Sequence, residues 1–214
     1  MGLIWNAFEL AGTISFALSG AIVGLVKDMD VFGIVVLAVL TAVGGGMIRD
    51  VLAGQTPPLI SPANLFLSIA IALAASYYFS WFRIRGRRKR VLNFFYALAD
   101  TVGLASFTVT GTMMGLAQGE PHSYVYPVLL GLVTAVGGGV LRDLMAQRVP
   151  VVLVADVYAT ASIAGSLLQC LVWHLGYTEL APWVDAVSII LLRLLAMNYK
   201  WQLMHPIERR KRIR

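Results

Sequence analysis

The chain has 214 residues, 58% of them hydrophobic and only 13% charged, with a mean hydropathy of +0.77. A soluble domain carries roughly twice that share of charge, so the composition excludes one and leaves an integral membrane protein with little room for a separate water-soluble domain. The net charge of +6 does not imply a nucleic-acid partner: most basic residues sit beside apolar runs, the pattern of a topology signal and of contact with anionic lipids.

Apolar segments of about 20 residues can span a bilayer core. Seven occur, at residues 7–26, 31–53, 62–82, 91–117, 124–146, 151–173 and 182–203. The N-terminus lacks a basic region and a small-residue cleavage site, so the first run is expected to be a retained helix. It carries Glu9, then Ser15 and Ser19 one turn apart, and the G-x-x-x-G pair Gly20/Gly24. After Lys27-Asp28-Met29-Asp30, the second span holds Thr41-Ala42-Val43-Gly44-Gly45-Gly46-Met47-Ile48-Arg49-Asp50. Pro57-Pro58 precede the third span, and a basic run at 83–90 follows it. The fourth span contains Asp100, Ser106, Thr110 and the pair Gly111/Gly115. Beyond Gly119-Glu120-Pro121, the fifth contains Thr134-Ala135-Val136-Gly137-Gly138-Gly139-Val140-Leu141-Arg142-Asp143. Arg148-Val149-Pro150 leads into the sixth span, with Asp156 near its start and the single cysteine, Cys170, inside it. Asp185 and Arg193 lie on the seventh. One cysteine excludes an internal disulfide, and no Cys/His grouping suggests a metal site. Long apolar runs without alternation favour helices over a barrel.

The two glycine-rich stretches are a repeat, 93 positions apart, and the repeat extends backward. Gly12–Gly20 resembles Gly103–Gly111, and Glu9 and Asp100 each lie three residues before the matching glycine. The chain therefore divides into a three-helix repeat (1–82), a basic linker (83–90), a second three-helix repeat (91–174), and a seventh helix with a basic tail (175–214). Three crossings per repeat make the halves inverted, related by a pseudo-two-fold axis in the membrane plane. The linker and the tail carry six Lys and Arg each and fall on one side together with Lys27 and Arg148. That bias places the C-terminus in the cytoplasm and the N-terminus outside.

Three consecutive glycines weaken a helix interior by about 1 kcal/mol each relative to alanine, inviting a kink or an unwound turn. Broken helices at matching positions of two halves point to a transport path; the alternative is that the glycines only let helices approach closely. Gly44, Gly45, Gly46, Gly137, Gly138 and Gly139 are thus the candidate kinks, with freed carbonyls able to serve as cation ligands. Arg49, Asp50, Arg142 and Asp143 are candidate path-lining residues, because ionisable groups at membrane depth face partners or water; the alternative is that all four snorkel to the headgroups. Sequence neighbours diverge around a helix, so Arg49 is expected not to neutralise Asp50. A cross-repeat pairing of Arg49 with Asp143 and of Arg142 with Asp50 is the alternative. Ser15, Ser19, Ser106 and Thr110 line the path with hydroxyls or serve helix packing. Glu9, Asp100 and Asp156 near helix starts suit the helix dipole, and His122, His174 and His205 are expected at the surface. No nucleophile motif, metal-ligand set or phosphate loop supports an enzyme.

Two three-helix repeats, each ending its second helix in Gly-Gly-Gly-x-x-Arg-Asp, plus a seventh helix, resemble the bacterial members of the trimeric intracellular cation (TRIC) channel family, whose repeat also bears the label of a glycine-transporter domain. The resemblance spans nearly the whole chain. It implies a homotrimer with a pore in each subunit, bends at the two triplets, and potassium and sodium as permeant ions. Animal members carry Lys-Glu-Val near the corresponding bend and bind phosphoinositide; this chain has Arg-Asp, so the resemblance does not extend to that lipid. A bacterial inner membrane, no cofactor beyond permeant monovalent cations, and lipids and further copies of the chain as partners complete the expectation. A carrier for a small solute such as glycine is the alternative.

Overall fold

The computed structural model describes residues 2–55, 66–67, 69–74, 88–118, 123–154, 157–199 and 201, all helix or connecting turn. Helix α1 spans Gly2–Val26, α2 Val31–Leu52, α3 Arg88–Gln118, α4 Val125–Met145, α5 Val151–Val154, α6 Ala159–His174 and α7 Ala181–Tyr199. Residues 66–67 and 69–74, within the third expected span, are helical too. Pro57-Pro58, most of the basic run, Gly119-Glu120-Pro121, Asp156, His122, His205 and the tail lie outside the described residues.

The helices start and stop where local chemistry dictates. Asp30 caps α2, its carboxylate accepting from the Gly33 amide at 2.7 Å. At the other end of α2, Gly54 adopts φ +65°, and the Gln55 amide returns to the Asp50 carbonyl at 2.9 Å. The end of α4 repeats this turn: Gln147 has φ +51° and the Arg148 amide reaches the Asp143 carbonyl at 3.0 Å. Both are Schellman closures, which satisfy carbonyls a helix end would otherwise strand. Pro127 sits in the first turn of α4, where a missing amide costs nothing. The sixth expected span does not form one helix. It divides into α5 and α6, and Val157 and Tyr158 between them are non-helical.

Five helices (α1, α2, most of α3, α4 and α7) are long and apolar enough to cross a membrane. Helix α1 packs on α2 and α3, α2 on α4, and α3 on α4; α6 and α7 pack together against α3. The core is aromatic at its centre: Phe16 and Phe107, both fully buried, meet edge to face with centroids 5.2 Å apart. Large apolar side chains such as Phe32, Leu129, Leu167 and Leu191 are exposed, the reverse of a water-soluble surface. Polar groups lie inside instead, where they position the site.

Candidate functional site

The site begins with glycines. Helices α2 and α4 cross at their triplets, and both remain α-helical through them. The unwound turn expected from three consecutive glycines does not form. The reason is packing: a methyl added at Gly45 would collide with the Thr134 carbonyl oxygen, and one at Gly138 with that of Thr41. A methyl at Gly137 would stand 3.3 Å from the Gly45 Cα. Only hydrogen at these positions lets two backbones approach so closely. The outer glycines do the same within each repeat. A Cβ on Gly20 would lie 2.8 Å from the Ala38 Cα, and one on Gly111 2.7 Å from the Gly131 Cα. Thr41 and Thr134 turn their hydroxyls back to the carbonyls of Leu37 and Leu130, each at 2.6 Å.

Gly46 and Gly139, the last of each triplet, face charge rather than backbone. Arg49, one turn beyond Gly46, is 4% exposed. Its Nε donates to Asp50 at 2.8 Å and its Nη1 to Glu9 at 2.9 Å and to the Thr110 hydroxyl at 3.3 Å, while the guanidinium stacks on Trp5. Arg142 is fully buried and arranged alike. Its Nε donates to Asp143 at 2.7 Å and its Nη1 to Asp100 at 2.7 Å and to the Ser19 hydroxyl, while the guanidinium stacks on Tyr96. Each arginine thus takes an acid from the first helix of its own repeat and a hydroxyl from that of the other.

These bonds correct the expected pairing. Arg49 does neutralise Asp50, and Arg142 does neutralise Asp143. An arginine side chain is long enough to fold its Nε back over the next residue, so divergent Cβ directions do not prevent contact. Neither arginine bonds the acid of the other motif. Glu9 and Asp100, assigned from the sequence to helix-dipole positions, are instead ion-pair partners; their recurrence three residues before a matched glycine was the available signal. Trp5 and Tyr96 stand in the same register, 91 positions apart. Of the four recurring hydroxyls, Ser19 and Thr110 reach the arginines, whereas Ser15 and Ser106 do not bond to them.

The two clusters are not identical. Asp143 also accepts from Arg148, at 2.6 Å to Nη2 and 2.9 Å to Nε, and from the Val151 amide at 2.8 Å. Arg148 reaches the Tyr96 hydroxyl at 2.7 Å. Arg193 of α7 brings Nη2 to 3.8 Å from the second oxygen of Asp100, stacks on Tyr158, and donates to the Val157 carbonyl at 3.2 Å. Asp185 lies fully buried, its carboxylate against Gly165 and without a hydrogen-bond partner among the described residues. His174 is half-buried and bonded to the Cys170 carbonyl at 2.7 Å rather than at the surface. At the Arg49 end a cavity of about 400 Å³ opens, lined in part by Trp5, Gln55, Met113 and Trp173. No group of three or more metal-ligating side chains occurs among the described residues.

Fold and site together define a helical, multi-pass membrane protein with two buried charge clusters on either side of a glycine crossing. The family model described as "Glycine transporter" matches residues 6–81 and 97–174. The chain belongs to that family, and within it to the bacterial TRIC members. A UPF0126 membrane protein of Deinococcus radiodurans is 41% identical over 167 residues, covering 77% of this chain and 74% of the relative. One from Vibrio cholerae is 35% identical over 92% of this chain and 80% of its own length. Among solved structures, a prokaryotic TRIC channel in 0.5 M KCl superposes with a TM-score of 0.86 at 29% identity, over 95% of this chain and all of the other. The TRIC orthologue from Rhodobacter sphaeroides gives 0.81 at 30% identity, over 92% of this chain and 99% of its own.

Proposed function

We propose that the chain is a channel for monovalent cations, potassium and sodium, with a conduction path in each subunit of a homotrimer. The observation that carries this reading is the likeness over nearly the whole length to solved TRIC cation channels, at TM-scores of 0.81 to 0.86. The path would run between α1, α2, α3 and α4. It would pass the Arg49 cluster, the glycine crossing where gating would occur, and the Arg142 cluster, with Ser15, Ser19, Ser106 and Thr110 as flanking hydroxyls. Partnered arginines suit such a path: the carboxylates that hold each guanidinium lower, without abolishing, its repulsion of a passing cation.

The matched contacts support seven crossings arranged as two inverted three-helix repeats plus a last helix. Phe16 meets Phe107 and Gly45 meets Gly138, each residue against its counterpart in the other repeat, as a two-fold axis between the repeats would require. The basic linker and tail support an inner-membrane protein with its C-terminus in the cytoplasm. A carrier reading has one observation in its favour, the family's description as a glycine transporter. Purified protein in planar bilayers separates the two. Discrete unitary potassium currents are the expected result; saturable glycine uptake into liposomes without such currents would replace the channel by a carrier.

A further inference from the structure

The two clusters share one plan and differ in charge. Among the described residues, a single arginine, Arg49, faces two carboxylates at one end, Glu9 and Asp50. At the other end three arginines, Arg142, Arg148 and Arg193, face two carboxylates, Asp100 and Asp143. Arg148 and Arg193 supply the whole difference. Arg193 sits on α7, which has no counterpart in the repeat. Arg148 has a structural equivalent, and it is neutral: the amides of Gln55 and Arg148 close the same turn on Asp50 and Asp143. Gln55 is exposed and lines the cavity at its own end. The same backbone position therefore carries a cation at one end and an amide at the other.

We propose that Arg148 and Arg193 are determinants of cation permeation that make the path rectify, with the Arg142 end as the limiting barrier. The proposal rests on the channel reading above. A ring or pair of fixed charges lining a narrow path sets the local concentration and the barrier for ions of each sign. The net-negative Arg49 end gathers cations, and the net-positive Arg142 end opposes them. A barrier lying near one end is crossed unequally in the two directions. Ions driven from the Arg49 end have most of the applied voltage working for them before they meet it. Ions from the Arg142 end meet it at once. Cation current from the Arg49 end toward the Arg142 end is therefore the larger.

Single-channel recording in symmetrical KCl tests this with two variants that act in opposite senses. Arg148→Gln should raise conductance and bring the ratio of forward to reverse current toward one. The change should be roughly two- to fivefold, the Boltzmann weight of one unit charge acting through a hydrated path. Gln55→Arg places the missing cation on an exposed turn whose geometry already accepts arginine at Arg148, so folding is not at risk. It should lower conductance by a similar factor and also bring the ratio toward one. Raising the salt from about 0.1 to 1 M, which shortens the screening length from about 10 to 3 Å, should flatten the wild-type relation. A linear wild-type relation at low salt, or rectification that neither variant alters, overturns the proposal while leaving the channel standing. Complete absence of unitary currents overturns the channel reading and this inference with it.

Discussion

Within one glycine triplet, neighbouring positions should respond to alanine with opposite signs. At Gly45 a methyl would press on the backbone carbonyl of Thr134 and lie 3.4 Å from the Gly138 amide nitrogen. Backbone cannot rotate aside, so the cost falls at the upper end of the overpacking range, about 3 kcal/mol. Helix propensity returns about 1 kcal/mol. The net loss of about 2 kcal/mol corresponds to roughly 4–8 °C in melting temperature for a chain of this size. At Gly46 the nearest atom to the new methyl is Glu9 Oε1 at 3.5 Å, an ordinary contact. Propensity alone then raises stability by about 1 kcal/mol, roughly 2–4 °C. Gly138 and Gly139 should repeat the pair. Thermal melts in detergent read both effects, and potassium flux into liposomes should fall with stability in Gly45→Ala, because this crossing holds the two clusters in register. The double change Gly45→Ala/Gly138→Ala should be non-additive, since the two residues share one contact. If Gly45→Ala melted at or above the wild type, the crossing would not be the close approach described, and soft, kink-forming glycine would be the better account.

Breaking the ion pairs should scale with burial. Asp100→Asn takes from fully buried Arg142 one of its two carboxylates and leaves it Asp143, a loss at the lower end of about 3–5 kcal/mol, whereas Glu9→Gln, at a side chain 20% exposed, should cost distinctly less. Equal losses in urea or thermal melts would contradict the burial argument. Gly20→Leu and Gly111→Leu each drive a branched side chain into the partner helix at Ala38 or Gly131, and size-exclusion chromatography should show loss of the folded species in both. A cysteine placed at residue 119 should react with an impermeant thiol reagent from outside intact cells, and one at residue 86 should not. Outside labelling at 86 would refute the proposed orientation.

Sequence alone disclosed the repeat, the membrane class and the recurring polar positions, because each is a pattern in composition or spacing. Glu9 and Asp100, the triplets and the Arg-Asp pairs all announced themselves by recurring. What the residues do to one another was less legible. A run of glycines reads as weakness in an isolated helix, but it becomes close approach once a second helix supplies carbonyls to meet it. Helical projection separates Arg49 from Asp50, yet the flexible arginine stem overrides it. Arg148 and Arg193 were hardest to assign, since the position matching Arg148 holds the neutral Gln55 and α7 has no counterpart at all, and only the folded chain brings them to Asp143 and Asp100. The split of the sixth span into α5 and α6 was equally hidden, because the apolar run of 151–173 continues across the break.

The exchange of partners between repeats explains why the halves form one unit. Arg49 is held by Glu9 of its own repeat and by Thr110 of the other, and Arg142 by Asp100 and Ser19 in the mirrored sense. A single repeat could supply each arginine with its acids but never with its hydroxyl. Nor could it supply a second triplet against which Gly44 and Gly45 could pack. A buried donor left without an acceptor costs about 1–3 kcal/mol, more when charged, and an unpacked glycine stretch keeps its propensity penalty with nothing to offset it. Each half is therefore unfavourable alone at the very positions where the two together are most tightly satisfied. The same geometry ties any movement of one cluster to the other, because Ser19 and Glu9 lie on one rigid helix and Thr110 and Asp100 on another. A shift of α1 that loosens Arg49 must also move the hydroxyl that holds Arg142.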